Sequence, residues 1–217
     1  MLKEIRADID RYVVTHKRSW LYVIVTQQGL WAIAEYRFSH WVRTKLHIPI
    51  ARQLLKTVGF FWHKLVEITT GIDIPNRTEI GKGLYIGHFG GIFINGDVKL
   101  GEYCNLSQGV TIGASGRGDK SGSPTLGDRI YMGPGAKVFG PITIGNDVAI
   151  GANAVVTRDL PDNAVAVGIP AKIISYKGSK DYVIYREEKP WKVADSENNE
   201  NNVESETDAH KVSSYHQ

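Results

Sequence analysis

Between Ile80 and Ile174 the chain repeats every six residues, and this period constrains the fold more than any other feature. An aliphatic side chain recurs at Ile94, Leu100, Leu106 and Ile112, then at Leu126, Met132, Val138, Ile144, Ile150 and Val156. Glycine follows it at positions 101, 113, 127, 133, 145 and 151. Four residues after it stands a small or β-branched residue: Val98, Cys104, Val110, Ile130, Ala136, Ile142, Val148 or Ala154. Six residues are too few for a helical repeat or a propeller blade, and an antiparallel sandwich would break its alternation every eight to twelve residues. The period matches a parallel β-helix in which each repeat is one flat side and three sides close a coil of about eighteen residues. The aliphatic residue points inward, and the glycine serves a corner, through positive φ or a crowded backbone.

Two interruptions matter for function, because insertions in a solenoid become loops on one face, often the binding face. Ile86 and Ile94 are eight apart, and the added residues fall in Gly87-His88-Phe89-Gly90-Gly91. Ile112 and Leu126 are fourteen apart, around a Gly/Ser-rich charged insert from Ala114 to Thr125.

The remainder divides into a helical segment, 1–70, the β domain, 71–176, and a C-terminal extension, 177–217, read as largely disordered. In the first, Ile5 and Ile9 share a face, Gln27-Gln28-Gly29 reads as a break, and Leu30, Ile33, Ala34, Phe38, Trp41 and Val42 fall at helical spacing. Pro49 marks another break before an amphipathic stretch, Ile50 to Ile68. No window reaches the apolar length of a membrane span. Aromatic and basic residues here (Trp20, Trp31, Trp41, Arg43, Lys45, Arg52, Lys56) could suit peripheral membrane contact, but a helical cap on the solenoid end and on neighbouring subunits is the preferred reading. The tail from Asp195 is too polar to offset chain entropy by burial. A net charge of +3 gives no argument for nucleic acid. The lone cysteine, Cys104, rules out an internal disulfide or a multi-cysteine zinc site and reads as a core filler; no metal is expected. The charged N-terminus, without a signal sequence, makes a cytoplasmic location the expectation.

The stretches AEYRFSHW after Gly29, GIDIPNRTEIGKGLYIGHFGGIFIN, LSQGVTIG, IGANAVV and GIPAKII, in this order, resemble the hexapeptide acyltransferases, and within them the serine acetyltransferases, most of all short members associated with polysaccharide clusters. The resemblance spans about Gly29 to Lys172. It implies an all-β left-handed parallel β-helix with an N-terminal α-helical segment, a homotrimer with active sites between subunits, and direct acetyl transfer from acetyl-CoA, as co-substrate, to a hydroxyl. His88, the one histidine between 71 and 176, matches the catalytic base, and its residue type suits proton abstraction near neutral pH. Asp73 matches the dyad carboxylate that would orient it. Pro134 and Ala152 match positions along the pantetheine arm, Lys172 would meet a CoA phosphate, and Gly113 is a candidate oxyanion donor beside the long insert. Arg117 and Lys120 are weaker phosphate candidates.

The departures are equally specific. Serine-specific members carry an acidic residue directly before the catalytic histidine, where this chain has Gly87. They carry Arg-His before the proline that ends the insert, where this chain has Gly122-Ser123 before Pro124. Their acidic residue in the helical domain has no counterpart in the apolar stretch Tyr12 to Val14. A site that pairs charged substrate ends loses strongly when those partners vanish. The expected acceptor is therefore a hydroxyl on a sugar of a polysaccharide or its precursor, with serine O-acetylation for cysteine biosynthesis as the alternative and an inactive β-helix scaffold as a second. The family's complex with the sulfhydrylase uses a C-terminal Ile; with Gln217 there, that complex is not expected.

Overall fold

The computed structural model describes residues 1–116 and 121–185. Four helices lead the chain: α1 (Leu2–His16), α2 (Trp20–Thr26), α3 (Gln28–Thr44) and α4 (Pro49–Thr70). Pro49 stands in the first turn of α4, where its missing N–H costs nothing, and Gly71 (φ 65°) ends that helix in the left-handed conformation. No described helix is long and apolar enough to cross a membrane.

Short strands then wind round three faces. Face A stacks β1 (Ile72–Asp73), β4 (Ile92–Ile94), β7 (Thr111–Gly113), β10 (Lys137–Phe139) and β13 (Val155–Val156). Face B stacks β2 (Glu79–Ile80), β5 (Lys99–Leu100), β8 (Thr125–Leu126) and β11 (Thr143–Ile144). Face C stacks β3 (Tyr85–Ile86), β6 (Asn105–Leu106), β9 (Tyr131–Met132), β12 (Ala149–Ile150) and β14 (Val165–Val167), all parallel, and closes with β15 (Lys172–Ser175) running antiparallel to β14. The registers Phe93↔Thr111 and Lys137↔Val155 keep the regular coil, while Asp73↔Phe93 and Thr111↔Lys137 carry the two insertions. Every aliphatic position named above is buried, and so are most of the small ones; Ile142 is half-buried. Each large one contributes roughly 1.5–3 kcal/mol by leaving water. Cys104 is one of the fillers, its thiol pushed up to about 12 by burial.

The glycines serve packing. A Cβ on Gly101 would sit 2.6 Å from the Gly127 carbonyl carbon, and one on Gly145 would sit 2.6 Å from the Asp162 amide, so the next coil's backbone excludes any side chain. The left-handed corner residues lie elsewhere. Between faces B and C they are Gly83, Tyr103, Arg129, Asp147 and Asn163, stacked one coil apart and joined amide to carbonyl: Tyr103 N to Lys82 O at 2.8 Å, Arg129 N to Glu102 O at 2.7 Å, Asp147 N to Asp128 O at 2.9 Å.

The helices cap the open first coil with polar groups, a feature the apolar patterning concealed. The buried side of α1 is Asp8, Arg11 and Tyr12, while Ile5 and Ile9 are only partly covered. Asp8 pairs with Arg37 at 2.9 and 3.1 Å and accepts from the Leu84 amide at 2.9 Å. Arg37 also donates to the carbonyls of Ile80 and Gly81, and Arg11 to those of Gly83 and Tyr103. The Tyr12 and Tyr36 hydroxyls bond both amide and carbonyl groups of the edge strands, satisfying a ladder that would otherwise be exposed. The expected break falls at Gln27, between α2 and α3, and Gly29 lies inside α3, where a Cβ would clash with the Ile86 backbone beneath it. At the other side, residues 177–185 pack along the solenoid: Ser179 is fully buried, Tyr182 stacks on Tyr131 and Tyr185 on Tyr103. The rest of the extension expected to be disordered, 186–217, lies outside the described residues.

Candidate active site

His88 sits in the corner between faces C and A, in the loop from β3 to β4, and is exposed. The two added residues widen this corner, and Gly90 (φ 102°) and Gly91 (φ 65°) return the chain to face A. The same corner continues upward through the coils: Gly109 N bonds Gly90 O at 2.9 Å, Gly135 N bonds Gln108 O at 2.9 Å, and Asn153 N bonds Pro134 O at 2.8 Å. His88, Pro134 and Ala152 therefore lie along one edge of the prism, and Pro134 and Ala152 are exposed on successive coils. Lys172 is exposed at the first position of β15, paired with Val167. It is five strand spacings above the coil that carries His88, roughly 24 Å.

Asp73 and Gly113 share a shallow groove on face A, with Pro75, Arg77, Phe93 and Thr111. Gly113 faces the Phe139 ring, which a Cβ there would meet at 2.8 Å. Beyond Gly113 the long insert leaves as a hairpin stem, with Ser115 and Gly122 exchanging two bonds of 3.1 Å. Ser123 donates to Asn95 Oδ1 at 3.0 Å. Arg117 and Lys120 fall outside the described residues.

Around His88 the neighbours are aromatic and imidazole groups. A Cβ on Gly87 would lie 3.3 Å from the Tyr85 ring and 3.7 Å from its hydroxyl. Tyr85 Oη is 3.3 Å from His16 Nε2, and Tyr12 packs on both rings. His16 is held below the usual histidine range, first by burial and then by the positive field of His88. Phe89, the next residue, is 52% exposed.

The expected partner of His88 is otherwise engaged. Asp73 Oδ1 lies 3.3 Å from His63 Nε2, and His63 Nδ1 lies 3.0 Å from Glu35 Oε2. Ser39 donates to Glu35 Oε1 at 2.6 Å. The bonds to Asp73 and then Glu35 push His63 up to about 10. Among the described residues no hydrogen bond joins Asp73 to His88. Sequence reasoning passed over Glu35, His63, His16 and Tyr85. One signal was available: Glu35 interrupts the apolar spacing of α3 between Ile33 and Phe38, and a carboxylate there needs a partner. Among the described residues no group of three His, Cys, Asp or Glu side chains is arranged to hold a metal ion.

No protein-family model matches the chain. A serine acetyltransferase of Helicobacter pylori strain J99 is 39% identical over 153 residues, covering 70% of this chain and 85% of that protein. A serine acetyltransferase of Synechococcus elongatus is 35% identical over 161 residues, covering 74% of this chain but only 63% of the longer relative. Among solved structures, the Neisseria gonorrhoeae serine acetyltransferase in complex with serine superposes with a TM-score of 0.67 at 28% identity, over 78% of this chain and 67% of the other. With the stacked parallel coils and the shared stretch carrying Asp73 and His88, these likenesses lead to one conclusion: the chain belongs to the serine acetyltransferase family of hexapeptide-repeat acyltransferases.

Proposed function

We propose that this chain transfers an acetyl group from acetyl-CoA to a hydroxyl, with His88 as the general base. The observation that carries the reading is the exposed imidazole at the widened corner of the C–A edge, in a chain whose relatives are acetyltransferases. A neutral alcohol attacks a thioester slowly unless its proton leaves as the bond forms. In this reading His88 takes that proton while the acceptor oxygen bonds to the acetyl carbonyl carbon. The tetrahedral oxyanion needs donors, for which Gly113 is the candidate. Its collapse breaks the C–S bond, and the imidazolium returns the proton to the departing thiolate, releasing CoA and the O-acetyl product. Asp73 is the proposed orienting carboxylate. Pro134 and Ala152, small and exposed on one edge, suit a path for the pantetheine arm, with Lys172 toward a phosphate. A homotrimer of left-handed prisms would supply the second wall of that groove.

The kinship supports L-serine as the acceptor, in preference to the sugar hydroxyl expected from the lost clamp. One observation keeps the sugar as a second reading: Gly87 backs onto the Tyr85 ring, so an aromatic face and a phenol stand where an amine-pairing carboxylate is expected. Thiol release from acetyl-CoA by the full chain tests both. Release with L-serine, lowered about 10²- to 10⁴-fold by His88→Ala, supports the first reading. Release only with sugar or oligosaccharide acceptors moves the acceptor to the second. No release with any acceptor, or full activity in His88→Ala, overturns the proposal.

A further inference from the structure

We propose that His63 is a positioning residue for the reaction: anchored by Glu35, it fixes Oδ1 of Asp73, offsets part of that carboxylate's charge, and leaves Oδ2 for the His88 imidazole. The inference rests on the reading of His88 as base and Asp73 as its partner.

Three elements build the arrangement. α3 supplies Glu35, 3% exposed, whose Oε1 accepts from Ser39 and whose Oε2 faces His63 Nδ1 at 3.0 Å. α4 supplies His63, 22% exposed. β1 supplies Asp73, whose Oδ1 faces His63 Nε2 at 3.3 Å. Both ring nitrogens thus point at carboxylates, which only the imidazolium can satisfy as a double donor. The other charged groups near these three are Arg43, Arg52 and Lys56, which line the cleft that opens on Glu35 and His63, Lys64, which lies within the field of Asp73 and pairs with Glu67, and Arg77, which lines the groove with Asp73 and pairs with Asp97. On the far side, the titratable groups about His88 are His16 and Tyr85. Among the described residues Asp73 Oδ2 accepts no hydrogen bond. The corner loop carrying His88 runs beside the start of β1, since a Cβ on Gly71 would lie 3.3 Å from Gly90 Cα.

A carboxylate that orients a catalytic histidine also stabilises its protonated form. An imidazolium on the carboxylate's other oxygen weakens that stabilisation, so the base keeps its proton less tightly at neutral pH. His63 would thus serve geometry and protonation together: it stops Asp73 from turning toward solvent and holds down its pull on His88.

The test is the pH profile of kcat/KM for the full chain, with thiol release as readout. His63→Gln, which keeps an amide donor but no charge, is expected to lower kcat about tenfold, leave KM for acetyl-CoA within twofold, and move the acidic limb up by roughly half to one pH unit. Glu35→Gln, nearly isosteric, is expected to move the limb in the same direction by less. A purely structural role would lower activity without moving the limb, so an unmoved limb in a His63→Gln protein that still unfolds cooperatively above the assay temperature overturns the inference. Histidine NMR provides a readout independent of turnover: His63 of the wild type stays protonated past pH 8, and Glu35→Gln lowers its titration midpoint. A His63 signal that titrates near 6.5 in the wild type also overturns the inference. Should His88→Ala keep full activity while His63 behaves as described, the failure lies with the base assignment, and His63 is left without a catalytic carboxylate to position.

Discussion

The Tyr12 hydroxyl donates to the Ile86 carbonyl at 2.9 Å and accepts from the Ile86 amide at 3.0 Å. One side chain of α1 thereby does for β3 what a further coil would do, two residues ahead of His88. Burial pushes the phenol well above its ordinary range, so both bonds persist across the working pH. Tyr12→Phe removes both and leaves a buried amide and carbonyl unpaired. The expected cost is about 2–4 kcal/mol, read as a lower urea midpoint at unchanged m-value.

Gly29 makes a second close approach to the same strand. A Cβ there would lie 2.4 Å from the Ile86 carbonyl oxygen and 2.6 Å from Tyr12 Oη. Alanine favours a helix over glycine by about 1 kcal/mol, and a clash with rigid backbone outweighs that gain. Gly29→Ala is expected to lower Tm by several degrees, and Gly29→Ser by at least as much. A variant as stable as the wild type would mean that α3 can lift from the coil without cost.

The Glu35–His63–Asp73 chain gives stability a pH signature. His63 is raised from an unfolded value near 6.5 to about 10 in the fold. Its contribution is therefore complete below about pH 6.5 and is lost as pH rises toward 10. Because the ring borders a solvent-open cleft, the loss is expected on the order of 1–2 kcal/mol. Urea unfolding at pH 6, 8 and 10 checks this. The wild type weakens across the series, and His63→Gln shows a flatter dependence between pH 6 and 9.

How much of this was legible in the sequence follows from what each feature depends on. The β-helix was, because every inward residue repeats the same local demand: Leu106 and Met132 occupy the same slot one coil apart. The corner bearing His88 was legible as a break in that period. The role of glycine was half legible, since six-residue spacing cannot distinguish a left-handed corner from close packing; Gly101 and Gly145 do the latter, while Tyr103 and Asp147 take the positive φ. That helices cover the solenoid end was legible; the polar groups by which they do so were not. Nothing in helical spacing distinguishes Asp8, Arg11 and Arg37 from ordinary solvated charges, and only the first coil's unpaired edge explains their burial. His63 was hidden for the same reason: its partners lie 28 residues before it and 10 residues after it, on different elements.

The acceptor can be probed from the backbone of Gly87. Its φ lies outside the left-handed region, so a side chain is tolerated, and the nearest atom to a new Cβ is the Tyr85 ring edge at 3.3 Å. That ring end can swing by a few tenths of an ångström, so Gly87→Asp is expected to fold. The new carboxylate would stand one residue before His88, and on the serine reading it would pair with the ammonium group of the acceptor. A solvent-bordered charge pair of this kind is worth roughly 1–1.5 kcal/mol. Gly87→Asp should then raise kcat/KM for L-serine about tenfold through KM and give no gain with uncharged hydroxyl acceptors. Steady-state kinetics on the two acceptor classes decide it. A gain shared by both classes would mean that the carboxylate acts on His88 and not on the acceptor. No gain with serine would mean that the ammonium group binds elsewhere or that serine is not bound, and attention would turn to Tyr85 and His16 as the groups that meet the substrate.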